Sequence, residues 1–402
     1  MFTIDKIYQF SLFGLIVSLS FSSALPNLFL GLSLVLFIFK LIKKEFNFTV
    51  FRPIIAFSFL LCYLFLKQLV VTDFNFEDAN IVSRFLIVLI LPIIIPVESK
   101  NKTAVAIVTA AILAMFIALF NTLSYFLIHK NVPFENGEIV NKLLVIDRPY
   151  LGFLSLIAIV ICFYLIKQFP KYKIVLGIIS FALFVFIVFI VARLSLLSAI
   201  LIGFIYLLFY SDFSIFKKSI VLLSIISLIC LLLFSYKNLF NRVFTNTTVE
   251  RLKLYDPRVD IWDCAYRISQ DQNFNPIIGA KSHQVVSDQL VDCYKTKNGN
   301  DLRRRQWFID TRFNTHNQFI DFYLVGGVVG LLLFIYFLFE MIRGARNNFY
   351  SFSLVIALVL FLFFENVFQR QLGCFLIAII LYFSINRRTV SNSKTIANIV
   401  SQ

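Results

Sequence analysis

Apolar residues run along this chain in blocks and not at alternating positions. The blocks lie near 8–25, 28–42, 53–71, 81–97, 104–128, 150–167, 172–192, 194–211, 218–236, 316–342, 349–366 and 371–386. Most approach the roughly 20 residues that a helix needs to cross a bilayer. The pattern predicts an all-α polytopic membrane protein of about twelve transmembrane helices. One long polar stretch, 237–315, interrupts it between the predicted ninth and tenth helices. The predicted organisation is therefore helices 1–9 over 1–236, a loop domain over 237–315, helices 10–12 over 316–386 and a tail over 387–402. The first apolar block is long enough to stay in the mature chain as a helix, and no cleavable leader is expected.

The charges between the blocks set an orientation. With the N-terminus inside, the inside segments carry Lys6; Lys40, Lys43, Lys44 and Arg52; Lys100 and Lys102; Lys167, Lys171 and Lys173; Lys217 and Lys218; Arg343 and Arg346; and Arg387, Arg388 and Lys394. The segment after the third block is acidic instead, with Asp73, Glu77 and Asp78. This is the positive-inside pattern, and it predicts an inner-membrane protein with both termini cytoplasmic. The same parity places the polar stretch outside.

Composition agrees with a membrane protein. Of 402 residues, 59% are hydrophobic and only 15% charged; mean hydropathy is +0.86. The net charge of +15 would suggest nucleic acid in a soluble chain, but here it follows from cations at inside helix ends, and no nucleic-acid partner is expected. The 50 phenylalanines read as lipid-facing and helix-packing bulk.

The polar stretch is expected to hold helices. Asp256-Pro257 reads as an N-cap followed by proline at the first helical position, and 258–268 continues with helical spacing. Asn275-Pro276 and Gly279 then break it. Both tryptophans, Trp262 and Trp307, lie here. So do Cys264 and Cys293, which can pair if the stretch faces an oxidising compartment, although their spacing does not show that they meet.

Some chemistries have no support in the sequence. No Asp-x-Asp, glycine-rich phosphate loop, His-Glu-x-x-His or Gly-x-Ser-x-Gly occurs, and no metal or cofactor is expected. What the chain does offer is cations near the outer face. Arg193 stands between two apolar blocks, where a charge costs about 2.5–3.5 kcal/mol and usually faces a cavity or partner. Arg258 opens the predicted loop helix. Arg370 lies in the short turn Glu365-Asn-Val-Phe-Gln-Arg-Gln371, with Glu365 as an available partner. Lys67 and Arg84 are expected to snorkel or to pair with Asp73, Glu77 or Asp78. Arg303-Arg304-Arg305 reads as a solvated face or a contact with lipid phosphates. His129 and His283 read as surface residues.

His316 stands in Asn314-Thr315-His316-Asn317-Gln318-Phe319, where the polar stretch turns into the tenth block. The bland role is a polar cap. The functional one is a neutral imidazole beside a helix N-terminus, able to take a proton from a hydroxyl. Arginine forks match phosphate oxygens and can stabilise a pyrophosphate leaving group without a metal. Together these residues suit glycosyl transfer from a lipid-linked pyrophosphate.

At these residues the sequence resembles the O-antigen ligase and polymerase superfamily of bacterial envelopes. The resemblance rests on Arg258-Val-Asp-Ile-Trp262 followed by Asn275-Pro-Ile-Ile-Gly279; on His316-Asn-Gln-Phe-Ile-Asp-Phe-Tyr-Leu-Val-Gly-Gly-Val-Val-Gly330; on Phe364 to Gln371; and on the Arg193 junction. It spans roughly 190–375. Gly279-Ala280-Lys281 stands where the family usually has Gly-x-Gly. The resemblance implies a twelve-helix bundle with a periplasmic helical loop over a lateral cavity. It implies a glycan on undecaprenyl pyrophosphate as donor, bound by Arg193 and Arg258, with Arg370 a further candidate, and His316 as the residue that activates the acceptor. A ligase would deliver the glycan to lipid A–core; a polymerase would deliver it to another lipid-linked repeat. The single long loop and the helix number favour the ligase. A flippase or other transporter would place charges along a midplane path, whereas these gather at one face.

Overall fold

The computed structural model describes residues 4–43, 51–71, 76–130, 137–211, 214, 216, 218–219, 256–297 and 302–384. Its helices are α1 (Ile4–Ser18), α2 (Leu25–Ile42), α3 (Arg52–Val71), α4 (Phe76–Ile94), α5 (Lys100–His129), α6 (Gly137–Leu144), α7 (Arg148–Gln168), α8 (Lys173–Phe189) and α9 (Arg193–Ile205). After them come α10 (Pro257–Ser269), α11 (His283–Lys297), α12 (Leu302–Thr311), α13 (Gln318–Ala345), α14 (Phe349–Leu362) and α15 (Gln371–Ser384). No strand occurs among the described residues. Every predicted apolar block overlaps a helix except 218–236, which lies almost wholly outside the described residues, as does the tail 387–402. Among the described residues, seven helical segments are long and apolar enough to cross a membrane, and α14, α15 and the apolar part of α4 are shorter apolar helices. This is the architecture of a multi-pass membrane protein, helical throughout its described residues apart from turns and loops. The eight-residue α6 was not expected from the apolar pattern.

The bundle is built from inside out. Helix α7 is its most enclosed span, whereas α2 and α8 turn large side chains such as Leu28, Val35, Ile174 and Phe181 outward. Exposed apolar surface on that scale is what lipid replaces. Helix α13 packs on α3, α15 on α4, and α7 on both α5 and α8. Where α3, α4 and α13 meet, rings interlock: Phe57 lies 4.9 Å from Phe337 and 5.5 Å from Phe368, between ring centroids. Part of the phenylalanine load is thus core packing.

The two ends of the bundle differ in charge. At one end Lys40 pairs with Asp5, Lys102 meets Gln9, Lys100 donates to the Phe383 carbonyl, and Tyr210 reaches the Arg346 carbonyl. These cations come from segments predicted to lie on one side. At the other end sits a lobe of α10, α11 and α12. Asp256 caps α10 by accepting from the Arg258 N–H at 2.9 Å, with Pro257 at its first position. Cys264 and Cys293 are bonded, which ties α10 to α11.

The lobe is seated on a break in α13. Gly327 has φ 63°, and Gly279 opposite it has φ 76°. A Cβ at Gly327 would meet the Ile277 carbonyl oxygen at 2.1 Å, so the loop 275–280 approaches as only glycine permits. The Ala280 N–H donates to the Leu324 carbonyl at 2.7 Å, and the Val328 N–H donates to the Pro276 carbonyl at 2.9 Å. Lys67 on α3 donates to the carbonyls of Ala280 and Val325. Lys67 is thus buried with its ammonium on a loop carbonyl and on the Val325 carbonyl that the break releases. Asp73 and the side chains of Glu77 and Asp78 lie outside the described residues.

Candidate functional site

The histidine turn is held on all sides. His316 has φ 44°, a left-handed value that costs a non-glycine residue energy unless its surroundings impose it. Those surroundings are polar and specific. Asn317 is the N-cap of α13 and accepts from the N–H groups of Phe319 and Ile320. Asn366 accepts from the Asn317 N–H at 2.7 Å and donates to Thr315 Oγ1 at 2.8 Å. Trp262 on α10 donates its indole N–H to the Thr315 carbonyl at 2.9 Å. Asn314 accepts from the His316 N–H and donates to Gln369 at 2.8 Å, and Gln369 donates to Asp321 at 2.9 Å. The cap is thus Asn317, and His316 stands just ahead of it with its ring directed elsewhere.

That ring meets Glu365. The carboxylate accepts from Arg258 Nη2 at 3.0 Å through one oxygen and lies 3.4 Å from His316 Nδ1 through the other. The second contact lacks hydrogen-bond alignment, as is common for such pairs without substrate. Glu365 therefore bridges an arginine of the lobe and the histidine of the α12–α13 turn.

Beside it opens a cavity of about 390 Å³, lined in part by Arg148, Arg193, Ser195, Arg258 and Glu365. Its walls include the beginnings of α7, α9 and α10, so three helix N-termini converge there. Each N-terminus carries partial positive charge, and that of α10 is already capped by Asp256. Arg148 Nε and Nη2 are enclosed and have no hydrogen-bond partner among the described residues; the same holds for Arg258 Nε and for the Ser195 hydroxyl, on a residue 1% exposed. Arg193 has no ion-pair partner among the described residues. Enclosed donors without acceptors cost free energy, and an anion with several oxygens would satisfy them together.

The sequence-predicted residues thus divide. Arg193 and Arg258 line one cavity, and His316 reaches it through Glu365. Arg370 does not line it. Arg370 pairs with Asp147 at 3.3 Å in a neighbouring cavity, so Glu365 is the partner of Arg258 and not of Arg370. Arg148 was not singled out from sequence, although it shares the signal that marked Arg193: a guanidinium at the head of an apolar block. Three other expectations change. Arg304 is no solvated residue; it pairs with Asp260 at 2.9 Å inside the lobe. Arg84 donates to the Gln369 carbonyl. His283 is buried against α3, where burial and the nearby Lys67 charge push its pKa down to about 4.

A multi-pass helical membrane protein with an arginine-lined cavity under a polar lobe is the class that fold and site define. Residues 178–335, a stretch that includes Arg193, Arg258 and His316, match the family described as O-antigen ligase, which supports a relation to the O-antigen ligase superfamily. Its members are membrane glycosyltransferase-like ligases and polymerases that act on lipid-linked glycans. No curated protein matches the chain.

Proposed function

We propose that this protein is an O-antigen ligase-like glycosyltransferase that moves a glycan from undecaprenyl pyrophosphate to a hydroxyl of lipid A–core, at the periplasmic face of the inner membrane. The carrying observation is the convergence of Arg148, Arg193 and Arg258 on one cavity at three helix N-termini, next to the Glu365–His316 contact. The arginines hold the pyrophosphate. Glu365 faces Nδ1 of His316, the side from which it selects the tautomer whose Nε2 is a free base. The acceptor oxygen attacks the anomeric carbon while the bond from that carbon to the pyrophosphate oxygen breaks. The bonding pair leaves with undecaprenyl pyrophosphate, and the hydroxyl proton passes to Nε2. Guanidinium groups and helix N-termini stabilise the charge that grows on the leaving group, the task a metal performs elsewhere. The disulfide in the lobe supports an outward-facing, oxidising location for it.

The test is deletion of the gene in its host, complementation with wild type or His316→Ala at matched protein level, and electrophoresis of lipopolysaccharide. A ligase leaves bare lipid A–core in the deletion while long lipid-linked glycan accumulates. Core capped by a single repeat identifies a polymerase with the same donor. His316→Ala is expected to lower transfer about 10²–10⁴-fold. An unchanged gel in the deletion strain would refute both outcomes.

A further inference from the structure

A second cavity, of about 490 Å³, lies on the other side of the Asp147-Arg148 dipeptide. Arg148 faces the arginine cavity and Asp147 faces this one. The two cavities differ in charge. The first gathers three guanidinium groups against Asp256 and Glu365. The charged residues lining the second are Asp147 and Arg370, an ion pair that sums to zero. Asp147 occupies the N-cap position of α7 but makes no capping bond there; its carboxylate turns to Arg370 instead. Both side chains are open to the cavity, the arginine 62% and the aspartate 38% exposed. Ser22, Ser23 and Gln371 add neutral polar groups, and Phe21 and Phe375 add ring surface. The volume falls within the roughly 300–1,000 Å³ of small-ligand sites.

We infer that this second cavity binds an uncharged, hydroxyl-rich saccharide, the glycan end of the acceptor, with Asp147 and Arg370 as its principal contacts. A carboxylate beside a guanidinium offers acceptors and donors side by side, which matches vicinal hydroxyls. It does not match a pyrophosphate, for which a pair that sums to zero leaves no surplus cation. The connection to the reacting groups is a single turn. Glu365 lines the arginine cavity, Asn366 and Gln369 hold the histidine turn, and Arg370 and Gln371 line the second cavity. Tyr150 lines the second cavity too, and its hydroxyl lies 3.5 Å from the Asn366 carbonyl. A saccharide there would thus sit against the same seven-residue turn that contacts the base and lines the anion site. The acceptor label rests on reading the arginine cavity as the donor site.

The experiment uses the full chain in phosphatidylcholine nanodiscs with two probes. One is a short-chain prenyl pyrophosphate, followed by ³¹P NMR. The other is the oligosaccharide released by mild acid from the host's lipopolysaccharide, followed by saturation-transfer NMR. Arg370→Gln and Asp147→Asn are each expected to weaken saccharide binding at least tenfold and to change pyrophosphate binding less than twofold. Arg193→Gln is expected to do the reverse. Asp147→Arg combined with Arg370→Asp retains an ion pair and guards against loss of fold; it is expected to melt like wild type and recover part of the saccharide signal. Saccharide binding indifferent to Asp147 and Arg370 overturns the inference. So does a loss of pyrophosphate binding in Arg370→Gln equal to that in Arg193→Gln, and so does displacement of the saccharide by phosphatidylethanolamine, which would make the cavity a lipid site. Absence of pyrophosphate binding in wild type removes the donor reading, while the saccharide arm still decides whether this cavity holds glycan.

Discussion

Two of the ion pairs of helix α10 begin two residues apart. Asp260 faces into the lobe and meets Arg304 at 2.9 Å, with the two side chains 6% and 15% exposed. Arg258 faces the bundle and meets Glu365 at 3.0 Å, beside a cavity whose other arginines are not paired. The chemistry of the pairs is alike, but their surroundings are not. The first is shut inside the lobe: Phe308 packs near the Arg304 guanidinium, and Tyr294, whose phenol burial and Asp260 hold above the usual range, donates to the Phe313 carbonyl at 3.1 Å. The second faces a cavity that holds two further arginines and so has surplus positive charge. One cation matched by one anion inside a lobe holds a fold together, whereas a pair that faces a cavity with extra cations is arranged for something else.

The comparison breaks most directly at Arg304. Arg304→Ala breaks an ion pair that is buried inside the lobe and is expected to cost about 3–5 kcal/mol, read as a large fall in the melting temperature of detergent-solubilised protein. Arg258→Ala is expected to cost about 1–2 kcal/mol and to remove transfer activity, since the cavity stays open to solvent. If both variants lose equal stability, the distinction between a structural and a functional pair fails.

A somewhat smaller effect is expected from the lobe's cross-link. Cys264→Ser with Cys293→Ser releases a loop of 29 residues' separation and is expected to destabilise the protein by about 3–4 kcal/mol by the chain-entropy argument. The loss should be reproduced by reduction of wild type, and it should fall on the Asp260–Arg304 side. Activity per folded molecule that drops in proportion would instead mean that the lobe's interior and the cavity are one unit.

The smallest effect is a pH dependence where the lobe meets α3. His283 has a folded pKa of about 4, below the ordinary 6.5, because it is buried and faces Lys67. Between these values the unfolded chain binds a proton that the folded one does not, so stability rises with pH through that window and is lost on acidification. The loss from pH 7 to pH 4 is expected to approach about 3 kcal/mol at most. His283→Gln should flatten that part of the melting profile, and an unchanged profile would show that His283 titrates normally.

Local signals were legible in the sequence, and distant pairings were not. The Asp256-Pro257 cap, the apolar blocks and the gathering of cations at one end follow from propensity, hydropathy and charge, each read over a few residues. Arg258 and Arg193 stood out because a charge at an apolar boundary is costly wherever it sits. The Arg258–Glu365 pair joins residues 107 apart in the chain, and no local rule supplies that. Arg148 was passed over because Pro149 and a long apolar run made it resemble an ordinary helix start. The contact of Lys67 with the Val325 carbonyl is not legible because the break at Gly327, which releases that carbonyl, cannot be seen in a run of apolar residues. His283 looked like a surface residue because the docking of the lobe on α3 is a tertiary fact.

The broken span also bears on the order in which the protein is made. Hydrocarbon offers no water to a backbone group left unpaired, and each such group costs several kcal/mol. Around Gly327, α13 leaves several groups for others to satisfy: Tyr63 donates to the Gly326 carbonyl, Lys67 to Val325, and residues 276–280 complete the Leu324, Val328 and Val329 positions. Every one of these partners precedes α13 in the chain. During synthesis from the N-terminus, the cradle for the break has been delivered to its side of the bilayer before the span that needs it emerges, so α13 can enter its final shape on arrival without waiting for anything still to come.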